Sequence, residues 1–169
     1  MNLTNQLSKI PSKLPEDSRI WIYQANRSFT EKEIKEINLQ LEHFYLQWQV
    51  HGEPVSGWAG IFFNQFILFI ADESKNSISG CSIDSTVSLL KSLERQYQIQ
   101  LFDRMTLTFL VKDKVEMLPF SQLSYALEKG YIQVDTLIFN NLITKLADLK
   151  DSWVIPLNES WAKQHIELT

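Results

Sequence analysis

Residues 58–71 of the chain are WAGIFFNQFILFIA, and this stretch decides the fold. Aromatic and β-branched residues dominate it, and these residue types favour β-strands. Asn64-Gln65 interrupts the apolar run. We therefore predict a hairpin of two short strands with its turn at Asn64-Gln65, the alternative being one long strand. The longest apolar segment, Gln65 to Ala71, has the length of a strand and falls well short of the ~18 residues of a membrane span.

Further strands are predicted on both sides of this stretch. Arg19 to Gln24 has the composition of a buried strand. Residues 105–111 alternate between larger apolar residues and mainly threonine, which predicts a half-buried strand. The chain is expected to turn at 112–114 and to return as a second strand at 115–118. A last strand is predicted at 136–139.

The clearest helix begins after Thr30. Thr30 and Glu33 have the spacing of a capping box, and Phe29 and Ile34 that of a hydrophobic staple. Its apolar stripe is predicted to run to Trp48, before a stop at residues 51–54. The stripe consists of Ile34, Ile37, Leu41, Phe44, Tyr45 and Trp48.

Two leucines of this helix, Leu39 and Leu46, lie off the apolar stripe. They suggest that this helix contributes to a homo-oligomer interface or to the surface that binds another partner. The alternative is that they complete the core of the same chain.

Three more helices are predicted from caps and apolar spacing. Ser82 or Asp84 is expected to cap a helix whose apolar face includes Ile83, Leu90 and Tyr97. Ser121 is expected to cap a short helix that stops at Gly130, and Asn140 or Asn141 a third with Leu142, Leu146 and Leu149.

These elements predict one α+β domain over residues 1–169, with a mainly antiparallel or mixed sheet and three to four helices packed on it. Residues 1–18 are expected to form a short helix and a loop. The tail, residues 150–169, contains Trp153 and Trp161 and is too aromatic to be a free end, so we expect it to pack on the domain.

Composition narrows the classes of partner and compartment. The net charge is −4, and no run of lysine or arginine exceeds two residues, so the basic patch of a nucleic-acid binder is missing. Cys81 is the single cysteine, which excludes an internal disulfide and a cysteine-based zinc cluster. With no secretory signal or membrane segment visible, we expect a cytoplasmic protein that binds neither membrane nor nucleic acid.

The segment Ser79 to Ser85 holds the densest set of reactive groups. At a helix N-terminus, Cys81 could be an activated thiolate with His51, His43 or His165 as its base, or it could be a small buried residue. The same segment suggests an anion pocket, although Asp84 would repel an anion.

The candidate catalytic residues are therefore Cys81, His51, Asp84 and Arg104. The candidate ligand-binding residues are Gly80, Ser82, Ser85 and Asn140. Four acids at 72, 73, 84 and 103 are interpreted as loop acids and caps rather than magnesium ligands, and Asp103-Arg104 as an ion pair or a turn. No metal site is predicted, because the three histidines lack ligand spacing.

Several motifs that would indicate a cofactor or a reaction are missing from the sequence. It has no P-loop, no G-x-S-x-G, no dinucleotide-binding G-x-G-x-x-G and no H-E-x-x-H. We therefore expect no cofactor.

Six short strings resemble a family of small uncharacterised bacterial proteins. The strings are F-x-x-x-E at Phe29, Q-W-x-x-H-G at 47–52, S-G-C-S-I-D at 79–84, L-F-D-R at 101–104, F-N-N at 139–141 and S-W at 160–161. Members are often labelled "ABC transporter ATPase", which does not suit a chain without a P-loop. The resemblance spans residues 19–162 and implies a single cytoplasmic domain, with no activity, cofactor or catalytic residue.

The sequence favours a non-enzymatic domain that binds a small ligand or a protein. The alternative is a small enzyme that uses a pocket around the Gly80–Ser85 strand-to-helix turn, with Cys81 or Asp84 as the reactive group and His51 or Arg104 in support.

Overall fold

The computed structural model describes residues 2–74 and 80–166, without the side chains of residues 80–82. In these ranges the architecture is α+β, as predicted, with three antiparallel sheets. The α-helices are α1 (Leu3–Leu7), α2 (Glu31–Leu46), α3 (Gly80–Tyr97), α4 (Leu123–Glu128), α5 (Asp148–Asp151) and α6 (Lys163–Ile166). The strands are β1 (Arg19–Gln24), β2 (Gln49–Val50), β3 (Glu53–Pro54), β4 (Ser56–Phe62), β5 (Phe66–Asp72), β6 (Thr106–Val111), β7 (Lys114–Pro119), β8 (Leu137–Phe139) and β9 (Val154–Pro156).

The first sheet has the order β1-β5-β4 and contains the predicted hairpin. The loop between the paired residues Phe62 and Phe66 consists of Phe63, Asn64 and Gln65, so it contains the two predicted turn residues and one residue more. The Gln65 N–H donates to the Phe62 carbonyl at 3.0 Å, and the two residues between them, Phe63 and Asn64, have φ angles of 48° and 55°. The Phe63 N–H donates to the Gln6 side chain at 2.9 Å, so α1 holds this turn from outside.

The central strand β5 is buried on both faces. Ile67, Phe69 and Ala71 point into a core formed with α2 and α3, whereas Phe66, Leu68 and Ile70 point into a second core. The second core is built from α1, Phe139, Leu149 and Trp153. Trp153, one of the two tryptophans of the tail, is therefore buried in the second core.

The second sheet has the order β7-β6-β8-β9. The β6–β7 hairpin turns at Lys112 and Asp113, in the predicted place. One face of β6, with Leu107 and Phe109, lies against α4 and the C-terminal segment. The other face, with Thr106 and Thr108, turns toward the first sheet, because side chains alternate along a strand.

The capping box at Thr30 and Glu33 is present. The helix that it starts ends at Leu46, so the prediction that Trp48 belongs to α2 is wrong. Trp48 instead precedes the small β2–β3 hairpin, whose turn is His51-Gly52, and packs in the first core.

The predicted caps of the other helices are wrong. α3 begins at Gly80, which places Ser82 and Asp84 inside the helix. Ser121 lies in a 3₁₀ turn and makes no cap. The helix expected after Asn140 begins at Asp148, with Ala147 in the cap position, because both asparagine side chains bond elsewhere.

Arg27 forms an ion pair with Glu33 at the start of α2 and a hydrogen bond to the end of α3. Arg27 donates to both carboxylate oxygens of Glu33, at 2.9 and 2.8 Å, and to the Tyr97 carbonyl at 2.7 Å. The hydrogen bonds from Arg27 are the main cause that lowers the pKa of Glu33 to about 2.

We predict that Glu33→Gln lowers the free energy of unfolding by about 1–2 kcal/mol at pH 7, since it weakens a cap and a bidentate charged pair. A depressed folded-state pKa stabilises the fold above the ordinary pKa of about 4.5, and this stabilisation is lost as pH falls toward 2. The difference between the two proteins should therefore shrink from pH 5 to pH 2 in urea titrations. Glu31→Gln, in the same helical turn, is the control and should have a smaller effect; an equal effect would contradict the prediction.

Candidate functional site

A cavity of about 500 Å³ separates the two large sheets; we call it the interlayer cavity. Its walls are β1, the start of β6, the loop 101–104 and the segment 139–144, with Trp161 at one side. Its apolar lining includes Leu101, Phe102, Leu107, Phe139, Leu142 and Trp161.

The cavity exists because β1 is an edge strand that is covered along only part of its length. Near its start, the Ile20 N–H donates to the Thr144 carbonyl at 2.9 Å. At its end, Gln24 donates to the Thr106 carbonyl at 3.1 Å, which ties β1 to β6. Ile22 lies between these two attachments and lines the cavity.

A chain of side-chain hydrogen bonds forms the polar part of the wall. The indole N–H of Trp153 donates to the Asn141 carbonyl oxygen at 3.1 Å. The Asn141 amide donates to the Gln24 carbonyl oxygen at 3.0 Å. Gln24 is 8% exposed, and its hydrogen bond to the Thr106 carbonyl extends this series of hydrogen bonds to β6. Because each primary amide has two N–H groups, Gln24 and Asn141 each retain one N–H that bonds no described residue.

Thr108 is the most unusual residue of the cavity wall. It is 1% exposed, and its hydroxyl has no hydrogen-bond partner among the described residues. A buried hydroxyl without a partner costs ~1–3 kcal/mol, so such groups are rare in folded proteins. Ser18 and Trp48 carry the other unpartnered buried atoms, and of these residues Thr108 alone lines the interlayer cavity.

Two oppositely charged residues, Asp103 and Arg104, follow each other in sequence at the rim of the cavity and have different surroundings. Asp103 accepts hydrogen bonds from the Met105 N–H at 2.7 Å and the Thr106 hydroxyl at 2.6 Å, and these bonds lower its pKa. Asp103-Arg104 is therefore a turn, one of the two predicted alternatives. In the described ranges no carboxylate pairs with Arg104, which is exposed.

The positive charge of Arg104 acts on the neighbouring wall residue Tyr23. Burial raises the pKa of the Tyr23 phenol, while a hydrogen bond with Thr86 and the charge of Arg104 oppose the rise. Tyr23 is therefore neutral near pH 7. Its ring packs edge-on against Phe102, 5.7 Å between centroids, and so supports the loop that carries Arg104.

A second concave surface, here called the helix groove, has a volume of about 700 Å³. It lies between α2, the β2–β3 hairpin and α3, and its lining includes Leu39, His43, Trp48, His51, Ser85 and Leu89. The buried indole N–H of Trp48 has no partner in the described part of the chain. Its ring covers Gly57, where an added Cβ would come within 2.7 Å of the indole.

The structure separates the residues that the sequence grouped into one site. His51 and Ser85 line the helix groove, whereas Arg104 lines the interlayer cavity. Asp84 is exposed on α3. The side chains of Cys81 and Ser82 and the surroundings of Gly80 lie outside what the structure describes, so the predicted roles of these three residues stay predictions.

Asn140 and Asn141 have different roles in the structure. Asn140 donates to the Ser152 carbonyl at 3.2 Å, and its N–H bonds the Trp153 carbonyl. Asn141 is the residue that lines the cavity. The pair follows β8, where successive side chains point to opposite sides, and sequence alone does not fix which of the two faces the cavity.

Sequence reasoning missed Gln24 and Thr108. Gln24 was interpreted as the end of a buried strand, and Thr108 as the solvent side of a half-buried one. A glutamine at the end of an apolar strand and a threonine between Leu107 and Phe109 were the available signals. Both signals become informative only when it is known that the first sheet covers the face of β6 that carries Thr108.

Within the described ranges, no group of three or more histidines, cysteines or acids is placed to hold a metal ion. Over the same residues, no helix combines the length and hydrophobicity required to cross a membrane. Leu39 and Leu46 are 67% and 72% exposed, so they do not complete the core, which was the alternative to a partner surface.

Comparison with known proteins gave no match to a family model, a curated protein or a solved structure.

We predict that Thr108→Val stabilises the protein by about 1 kcal/mol, raising the melting temperature by roughly 3 °C, since a methyl group replaces an unpartnered buried hydroxyl of nearly the same shape. Thr86→Val is the matched control. Thr86 is 3% exposed, but its hydroxyl donates to the Ile83 carbonyl at 2.7 Å, so this variant should be neutral or less stable. Thermal unfolding of both variants decides the point; a loss of stability in Thr108→Val would contradict the prediction.

Proposed function

We propose that the protein is a non-enzymatic binding domain that takes a small, largely apolar ligand into the interlayer cavity. The observation that carries this proposal is the interlayer cavity itself, about 500 Å³ of space whose largely apolar wall also holds the hydrogen-bonded side-chain amides of Gln24 and Asn141. Thr108, whose buried hydroxyl has no partner among the described residues, belongs to the same wall.

The size and lining of the cavity support a small ligand. Its volume of about 500 Å³ lies within the usual range for small-molecule sites. Sites of this kind combine apolar walls with a few placed polar groups. Here the polar groups include Gln24, Thr108 and Asn141, and hydrogen bonds that involve Thr106 and Trp153 fix Gln24 and Asn141 in place.

The rim supports a ligand with an apolar part that reaches the surface. Phe102, Leu142 and Trp161 line the cavity and are 38%, 67% and 38% exposed. Exposed apolar side chains that surround a cavity mark a ligand site more often than isolated ones do.

The alternative enzyme at the Gly80–Ser85 turn has weaker support. Of its described residues, His51 and Ser85 meet at the helix groove, while Arg104 lies at the other cavity and Asp84 is exposed. A nucleophile, its base and a stabilising cation need to converge on one reacting atom.

The uncharged fluorescent probe N-phenyl-1-naphthylamine tests the proposal. We expect a saturable fluorescence increase with one probe per chain. Leu142→Ser should raise the dissociation constant about 5-fold, because ~1 kcal/mol of apolar contact at the rim is lost.

Leu39→Ser is the matched control, since Leu39 has the same 67% exposure but lines the helix groove. It should change the dissociation constant less than 2-fold. Absence of saturable binding to the unmodified protein, or weakening by Leu39→Ser alone, would contradict the assignment to the interlayer cavity.

A further inference from the structure

We propose that the ligand of the interlayer cavity is an apolar monocarboxylate, with its carboxylate at Arg104 and its apolar body between the sheets. This inference rests on the proposed function and adds the chemical class of the ligand. Three features support it: a cation without a partner, a set of hydrogen-bond donors in the wall, and an apolar interior.

Arg104 supplies the charge. Arg104 is one of the residues that line the cavity, and it pairs with no carboxylate among the described residues. The planar fork of a guanidinium matches the two oxygens of a carboxylate, and the charged hydrogen bonds of such a pair are about twice as strong as neutral ones. Beside an apolar cavity, this group favours an anion over a neutral head group.

The neighbouring acid does not cancel this preference. Both oxygens of Asp103 already accept hydrogen bonds, from Met105 and from Thr106. Asp103 is therefore turned toward its own loop, whereas no carboxylate among the described residues pairs with Arg104.

The interior of the wall also prefers an acceptor. Gln24 and Asn141 each retain one amide N–H, and the Thr108 hydroxyl can donate. A polar head with acceptors only, such as a carboxylate, fits this donor-rich wall better than an ammonium group, which donates only.

The volume limits the size of the ligand. At the ~30 Å³ that one water molecule occupies in the liquid, about 500 Å³ corresponds to roughly 15 heavy atoms. A carboxylate with an apolar chain of about ten carbons has this size. Decanoate is therefore the probe, and 1-decanol and decyltrimethylammonium are its neutral and cationic counterparts.

Isothermal titration and displacement of N-phenyl-1-naphthylamine measure binding of the three probes. We expect decanoate to bind at least 10-fold more tightly than 1-decanol, and decyltrimethylammonium to bind most weakly. Arg104→Gln should raise the dissociation constant of decanoate about 10-fold and change that of 1-decanol less than 2-fold. Arg104→Lys, which keeps the charge and loses the fork, should lie between the two.

Arg95→Gln is the control for net charge, because Arg95 is exposed on α3 and lines neither the interlayer cavity nor the helix groove. It should leave decanoate binding unchanged. Circular dichroism checks that each variant is folded, and the comparison of the three probes on the unmodified protein does not depend on any variant.

The outcomes separate the two proposals. Equal binding of decanoate and 1-decanol with no effect of Arg104→Gln would overturn the carboxylate class and leave the cavity as an apolar site. Tightest binding of decyltrimethylammonium would also overturn it and implicate Asp103. If neither N-phenyl-1-naphthylamine nor any of the three probes binds, the proposed function itself fails.

Discussion

The structure depends on β5 being buried on both faces. Each face of this strand starts a separate core: one closed by α2 and α3, the other by α1 and the C-terminal aromatic residues. A single strand that serves two cores fixes its register twice, because a slip of one residue would exchange Ile67 and Phe69 with Leu68 and Ile70. The chain after β8 can then return to the second core, and it brings Asn141 and Trp153 to the end of β1.

The interlayer cavity follows from that arrangement. Beside the cavity, β1 and β6 are joined by hydrogen bonds of a glutamine, an asparagine and a backbone carbonyl. Such a polar seam packs less densely than a core of Leu and Phe, since its amides must keep their hydrogen-bond directions. The apolar contact between the two sheets lies elsewhere, where Leu110, Val115 and Phe139 join the second core. The unpartnered Thr108 hydroxyl lowers the stability of the fold, and large aromatic contacts nearby offset this loss. The ring centroids of Phe66, Phe139 and Trp153 lie 4.5–5.5 Å apart.

Local signals in the sequence predicted the parts of the fold that depend on neighbours in the chain. The capping box at Thr30, the β4–β5 and β6–β7 hairpins and the strand at 19–24 all follow from spacing within a few residues. The caps at Ser82, Ser121 and Asn140 failed because a suitable side chain does not start a helix when the surrounding chain takes another path. Phe63 shows the same limit: a buried aromatic residue at φ 48° is an unfavourable turn residue on its own. It is held there by ring contacts and by the bond from its N–H to Gln6.

The site was harder to predict than the fold, because its residues are ordinary in sequence. Gln24, Thr108 and Asn141 lie far apart along the chain, and each has a plausible structural role alone; only the pairing of two sheets gives them a common cavity. The Ser79–Ser85 segment drew attention by its composition, yet its described members do not converge with Arg104. Composition identifies groups that can react, whereas a binding site is defined by polar groups that the fold leaves unsatisfied beside apolar walls. Among the described residues, Thr108 has a buried hydroxyl without a partner and Arg104 pairs with no carboxylate, and both residues line the same apolar-walled cavity.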